Sequence, residues 1–348
     1  MPRSSSAQLI AAREDFHRTL HAWYRVHQRQ LPWREAPSLY KTVVSEFMLQ
    51  QTQVKTVLPY FARWLAALPD FAALAAAPEA RVLKLWEGLG YYSRARNLHK
   101  LAQAVTALPT PPRDPAAWLA LPGVGPYTAA AITSIAFDAP AAVVDGNVVR
   151  ILARLTADGR AFRDSSAAAK EFTSLANALL PATGSGDHNQ AMMELGATIC
   201  LRQNPLCASC PVRTCCAGQK SGTPEQFPKL AAKKIEQIEV TRVWCLRAGQ
   251  LLMHRTDARA RRLAQQHELP TPEQAGRKET TVMRGKLLAK KKRSITKYRI
   301  TESIYLVTAH PSRSRPGLVW VPLNKLDDHT LSGPHRRWIG EILKNSKT

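Results

Sequence analysis

Residues 121–150, LPGVGPYTAAAITSIAFDAPAAVVDGNVVR, join a phosphate-gripping turn to one aspartate, Asp145. Leu121-Pro122-Gly123-Val124-Gly125 reads as a tight turn between two helices. Gly123 and Gly125 can take φ > 0, and without side chains they let another backbone approach the amides. The amides that follow open a helix expected over 128–136, and a helix N-terminus is a ready anion site. A Gly-x-Gly turn alone is often an ordinary helix hairpin. Asp145, delivered 22 residues after Gly123 inside Asp145-Gly146-Asn147, points instead to chemistry next to nucleic-acid phosphates.

A second constellation is the cysteine array Cys200, Cys207, Cys210 and Cys216, spaced C-x6-C-x2-C-x5-C after the helical segment 190–199. Four thiolates within 17 residues can close around one centre. Structural zinc and a 4Fe–4S cube use the same donor count, and spacing does not choose between them. Cys215 is an alternative fourth ligand, although the x5 interval favours Cys216, and Cys245 reads as a buried thiol.

The elements that must position these groups follow from the wider chain. At 348 residues there is room for two domains. The net charge is +23 and the pI about 10.2, a field that favours polyanions. Residues 1–228 carry 23 basic and 16 acidic side chains (+7), whereas 229–348 carry 26 and 10 (+16). The start, MPRSSSAQLIAARED, lacks the apolar core of a signal peptide, and no apolar run approaches a membrane span. A cytoplasmic protein with no membrane partner is expected, in which six cysteines serve as metal ligands or buried thiols.

Residues 7–220 read as successive helices broken by Leu-Pro and Gly signals. Within them, Val82, Leu85, Trp86 and Leu89 keep helical spacing before a break at Gly88 and Gly90. Residues 221–235, SGTPEQFPKLAAKKI, look like a linker. Beyond it VTRVWCLR, LLMHR, SIYLVTA and GLVWVP read as short strands, and 332–343 as a closing helix. The expectation is an all-α domain over 1–220, a linker over 221–235 and a smaller α+β domain over 236–348.

The chain resembles the helix-hairpin-helix DNA glycosylases, and within them the MutY-type adenine glycosylases. The resemblance covers about residues 20–220. It rests on LPWR at 31–34, VSEFMLQQTQVKTVLPYF at 44–61, LWEGLGYYSRARNLHK at 85–100, LPGVGPYTAAAI, VVDGNVVR, NQAMMELG at 189–196 and the cysteine array. It implies a mainly α helix-hairpin-helix domain with an iron–sulfur loop, in which Cys200, Cys207, Cys210 and Cys216 hold a 4Fe–4S cluster. A Nudix-like α+β domain follows. The implied partner is duplex DNA carrying an A·8-oxoguanine or A·G mispair, bound by a monomer acting at the nucleoid.

The implied chemistry is base flipping and hydrolysis. Glu46 matches the general acid that protonates adenine, and its apolar neighbours Phe47, Met48 and Leu49 fit a raised pKa. Asp145 matches the carboxylate that stabilises the oxocarbenium-like sugar, with Asn147 and Tyr127 orienting the groups. Related enzymes that cut the strand place a lysine where Tyr127 stands, so a monofunctional glycosylase with at most weak lyase activity is implied. Arg29, Trp33, Arg34 and Gln190 match the adenine pocket. Gln51, Thr52, Leu89 and Tyr91 match residues that fill the vacated stack or touch the opposite base, with adjacent Tyr92 competing for the wedge role.

The C-terminal third departs from that pattern. It lacks a Nudix catalytic box, so nucleotide hydrolysis is not expected. The lesion-reading Phe-Ser/Thr-His turn is replaced by Ile295-Thr296-Lys297, where Thr296 keeps a hydroxyl, and the stretch before Glu268 reads ARRLAQQHELP. Arg284 to Arg299 hold eight basic residues and no acid, including Lys290-Lys291-Lys292-Arg293. This run reads as a solvated loop that contacts phosphates and weakens lesion discrimination. Two other readings of the whole chain are a thymine glycosylase acting on T·G mismatches and a non-catalytic mismatch-binding protein. Glu46 and Gln190 favour adenine, and intact Glu46 and Asp145 favour an enzyme.

Overall fold

The computed structural model describes residues 5–232, 234–257, 260, 264–295, 297–309 and 315–345. Its contacts divide the chain into two units, Met1–Ala75 with Lys100–Ala232 and Ala76–His99 with Lys233–Thr348. The segment 76–99 had looked like one more part of the helical array. It joins the second unit through Tyr92, whose buried hydroxyl donates to Leu331 O at 3.2 Å, and through Arg336, which pairs with Glu87. The expected linker is ordered at its start. Phe227 is buried against the first core, and Lys229–Leu230 pairs in parallel with Ala161–Phe162.

The first unit is helical because its sequence supplies both caps and apolar faces. Ser38 caps Leu39–Leu49 by accepting Lys41 N, and Asp114 and Asp164 do the same for Pro115–Leu119 and Ser165–Ala178. Asp145 caps Gly146–Thr156, which buries Val148, Val149, Ile151, Leu152 and Leu155 in a core shared with Phe16, Leu20, Phe172 and Leu195. Removing a fully buried side chain such as Leu152 down to alanine costs about 2–5 kcal/mol in such a core.

Two close approaches position the helix Ser185–Thr198. The helix Pro126–Phe137 ends at Asp138 in the left-handed region (φ 54), and the Asp138 carboxylate accepts Gly184 N at 2.8 Å and Gly186 N at 3.2 Å. A Cβ at Gly186 would lie 2.5 Å from Ser134 O. Only glycine lets these two helices pack there.

The second unit is α+β. Strand Tyr298–Leu306 lies between parallel Glu236–Trp244 and antiparallel Leu287–Ile295. A second sheet centres on Gln250–Arg255, paired antiparallel with Leu246–Arg247, His267–Glu268 and Leu318–Pro322. The helix Gly333–Asn345 buries Trp338, Ile339 and Ile342 in a core with Trp244, Leu251, Met253 and Ile304. Among the described residues no helix is long and apolar enough to cross a membrane.

The charge-dense run is not a loop. Leu287–Ile295 is an edge strand, and its alternation sends neighbouring cations to opposite faces. Arg293 turns inward, donating to Glu268 Oε1 at 2.7 Å and pairing with Glu302, while Lys291 pairs with Glu341 Oε2 at 2.5 Å. Arg242 completes the buried network on Glu302 (2.6 Å) and Glu268 (3.3 Å). His335 Nδ1 accepts Leu269 N at 2.8 Å, so its Nε2 carries the proton facing Glu302 at 3.1 Å.

A histidine cluster contributes to the acid response of the first unit. His188 is 3% exposed, with its ring centroid 5.2 Å from His17 and 5.7 Å from His21. Burial, then His17 and His21, push its pKa down from 6.5 to about 3. Asp187 and Arg25 act with opposite signs on His21. Between those pH values the unfolded chain binds a proton that the folded chain refuses. The contribution is therefore complete above about pH 6.5 and is lost as pH falls toward 3. Urea unfolding of the full chain should show His188 costing about 2 kcal/mol between pH 7 and pH 5. His188→Gln should shrink the pH difference by that amount, and equal pH slopes in the two proteins would contradict the assignment.

Candidate active site

Five helices of the first unit and the loop after Arg13–His27 surround a cavity of about 550 Å³. Its lining includes Arg29, Trp33, Arg34, Glu46, Thr52, Tyr127, Asp145, Asn147 and Gln190, nine of the residues singled out from sequence. Gln51 does not line it and lies exposed with φ 57. Leu89 and Tyr91 belong to the other unit. There Leu89 is buried, while Tyr91 is 42% exposed with φ 48. Tyr92 is committed internally, which leaves Tyr91 as the accessible ring of the pair. Thr296 lies outside the described residues. Lys297 beside it pairs with Glu236 Oε1 at 2.5 Å and sits over the Tyr298 ring.

The two carboxyl groups have opposite surroundings. Glu46 projects from Leu39–Leu49 among buried Phe47 and Met48, is 5% exposed, and leaves Oε2 without a hydrogen-bond partner. Burial raises its pKa to about 7; Asp145 adds to the rise, and Tyr127 and Arg34 oppose it. The same burial holds the Tyr127 phenol well above its usual value. Tyr127 also points its hydroxyl at Met193 Sδ, 3.4 Å away.

Asp145 is held by three N–H groups. Oδ1 accepts Asn147 N at 2.9 Å and Val148 N at 2.8 Å, and Oδ2 accepts Asn147 Nδ2 at 2.9 Å. Burial pushes its pKa up, and those bonds together with Arg150 resist the shift. The N-terminus of Gly146–Thr156 adds its own positive end. Asn147 is fixed in turn by Arg150, whose Nη2 donates to Asn147 Oδ1 and Gly196 O, both at 2.8 Å, while Nε donates to Cys200 O at 2.7 Å.

Glu194 is the functional residue that sequence reading passed over. Its side chain is fully buried and receives Arg29 Nε at 2.6 Å and Arg34 Nη2 at 2.9 Å. Arg34 Nε also donates to Gln190 Oε1 at 3.1 Å, and these contacts hold the Glu194 pKa below its usual value despite burial. The signal was present in NQAMMELG, because residues four apart on a helix share a face. Trp33, 9% exposed, stands edge-on to Phe61 at 5.2 Å, a rigid wall for a planar ligand. Lys55, exposed in the first turn of Val54–Ala67, also lines the cavity.

The hairpin turn corrects one expectation. Gly123 has φ 75, but Gly125 is extended (φ −99) as N-cap of Pro126–Phe137, which starts two residues before the expected helix. A Cβ on Gly125 would meet nothing within 4 Å. No packing within the chain demands glycine there, so the bare amides are left open to an outside group.

The cysteine loop carries a second, smaller cavity. Cys200, Cys207, Cys210 and Cys216 line it with Arg154 and Arg213, and Cys215 is not among the lining residues. Among the described residues no three His, Cys, Asp or Glu side chains converge as they would on a single ion. Arg154 Nη1 lies 3.3 Å from Cys200 Sγ, and Gln219 N lies 3.4 Å from Cys216 Sγ. Four sulfurs on one cavity, with N–H donors aimed at two of them, fit a thiolate-held group.

The burial of Glu46 has a cost that can be measured. Its folded pKa lies above its unfolded one, so stability declines as pH rises from about 4.5 to about 7. Glu46→Gln, a neutral isostere, should stabilise the fold by about 2–3 kcal/mol at pH 7.5 and by little at pH 4.5. A variant less stable than the parent at pH 7.5 would show that the carboxylate is satisfied in the native state.

The chain is similar to known proteins over part of its length. Residues 44–177 match the family described as HhH-GPD superfamily base excision DNA repair protein. The adenine DNA glycosylase of Rattus norvegicus is 47% identical over 219 residues, 60% of this chain and 42% of the relative. That of Homo sapiens is 43% identical over 61% of this chain and 41% of its own length. In both cases the chain therefore matches less than half of the relative. The adenine DNA glycosylase of Mycolicibacterium smegmatis is 40% identical over 58% of this chain and 70% of its own length. A solved thermostable thymine-DNA glycosylase superposes with a TM-score of 0.53 at 28% identity, over 60% of this chain and 97% of that one. The chain belongs to the adenine DNA glycosylase family of the helix-hairpin-helix base-excision repair superfamily.

Proposed function

We propose that the chain is a monofunctional DNA glycosylase that flips adenine out of an A·8-oxoguanine or A·G mispair and hydrolyses its glycosidic bond. The observation that carries this reading is the pair of carboxyls in one cavity, Glu46 with a pKa pushed to about 7 and Asp145 bound by three N–H groups. The cavity, about 550 Å³, has room for a purine, with Trp33 as a wall and the Arg29–Arg34–Gln190–Glu194 network as polar edge.

Glu46, protonated near neutral pH, supplies a proton to adenine N7, which turns a poor leaving group into a neutral one. As the bond from C1′ to N9 lengthens, positive charge grows on the sugar, and the Asp145 carboxylate faces it. Water then adds at C1′ and gives its proton to the Glu46 carboxylate left by the first step. Tyr127 offers a phenol where a strand-cutting relative needs an amine. Gly123 and Gly125 hold phosphate at the hairpin, while Gln51, Thr52, Leu89 and Tyr91 fill the vacated stack or meet the opposite base. Cys200, Cys207, Cys210 and Cys216 would hold a 4Fe–4S cluster, which when bound cross-links the loop that Arg150 ties to Asn147. The second unit is read as a Nudix-like domain, without hydrolytic activity, that inspects the opposite base.

Single-turnover base release from A·8-oxoguanine, A·G, A·C and T·G duplexes, developed with hot alkali, tests the reading. Release from the A·8-oxoguanine and A·G duplexes is expected, with the rate falling about tenfold per pH unit above pH 7 as Glu46 ionises. Glu46→Gln should lose at least about 10²-fold in rate. Activity on T·G alone would overturn the substrate. Arg150→Gln should slow release about 10–100-fold while duplex binding is retained, because it loosens Asn147 without touching the pocket.

A further inference from the structure

The outer face of the three-stranded sheet carries three cations and one acid. Lys290 and Lys292 are exposed on the edge strand Leu287–Ile295, and exposed Arg299 on Tyr298–Leu306 pairs in register with Ser294. Lys292 faces Thr301 and Lys290 faces Ser303, so hydroxyls fill the row behind them. The acid on this face among the described residues, Glu239, is in register with Thr301, diagonal to Arg299 at about 7–8 Å but about 10 Å from Lys292 across two strands. Lys290 and Lys292 stand about 7 Å apart and repel each other. The other two cations of the run, Lys291 and Arg293, are neutralised on the opposite face by Glu341, Glu268 and Glu302.

We infer that this face is a docking surface for the phosphate backbone of duplex DNA, with Lys290, Lys292 and Arg299 as its cations and Ser294, Thr301 and Ser303 as hydroxyl donors. The inference deepens the proposed DNA-repair reading and rests on it for the choice of polyanion. Strand spacing supports a regular polyanion, because two lysines on alternate residues present charges in a line at a fixed interval. The face reads no bases and adds affinity that does not depend on sequence.

The test uses the full chain and a duplex carrying A·8-oxoguanine, with binding measured between 50 and 300 mM KCl. Lys290→Ala/Lys292→Ala/Arg299→Ala should reduce the slope of log K against log salt by about 2–3 and weaken binding at low salt. Single-turnover release at saturating enzyme and the melting temperature should stay unchanged, because these side chains are exposed and distant in sequence from the cavity lining. Lys291→Ala should leave the slope as it was. An unchanged slope in the triple variant, or an equal loss in Lys291→Ala, would overturn the inference. So would loss of binding confined to phosphatidylserine vesicles, which would assign the face to a membrane. If no duplex yields free adenine but the slope still falls, the surface stands and the catalytic reading fails.

Discussion

Two carboxyl groups share one buried cavity, and ordinary electrostatics forbids both from being charged there without compensation. Asp145 receives two backbone amides, one side-chain amide and the start of a helix, whereas Glu46 has only Tyr127 and the nearby Arg34. Glu46 has one oxygen without any partner. The difference in protonation follows from where each residue sits on its helix, because a residue at the N-cap meets free N–H groups and one near the end of a buried helix does not. The helices Leu39–Leu49, Pro126–Phe137, Gly146–Thr156 and Ser185–Thr198 must then be held in fixed relation. Asp138 and Gly186 do this by joining the end of one to the start of another.

The second unit solves a different problem by related means. It places two arginines and two glutamates between its two sheets, where aliphatic side chains would ordinarily stand. Such a set is no more stabilising than an apolar core, but breaking one member costs about 3–5 kcal/mol by stranding the rest. It therefore acts on register. A slip of one residue along Leu287–Ile295 would expose Arg293 and bury Lys292 against Glu302, and the edge strand is held against that error.

Much of the site was legible from residues close together in sequence. The turn at 121–125 and the capping aspartate of Asp145-Gly146-Asn147 declare themselves by local rules, and so do the cysteine spacing and the alternation of helices and strands. What failed to show were properties created by distant partners. Glu194 carried no local mark of its role, which comes from Arg29 and Arg34, some 160 residues away, closing on it. Lys290–Arg293 looked like a loop because a strand with charge on both faces breaks the usual alternation, and only Glu268, Glu302 and Glu341 make it tolerable. Residues 76–99 gave no local sign that they belong with the C-terminal unit, since a helix carries no mark of the core it packs on.

The helix Ser185–Thr198 shows how closely shape and chemistry are fused in this protein. It contributes Gln190, Met193 and Glu194 to the cavity, and one turn on, Gly196 presses so near Asn147 that a Cβ would lie 2.5 Å from the Asn147 Cβ. A methyl group there would touch neither base nor sugar, yet it would displace the residue that aims Asp145. For anyone sorting inherited or engineered variants of such an enzyme, Gly196 would be filed among scaffold positions. Its harm would fall first on the hold that Asn147 keeps on Asp145.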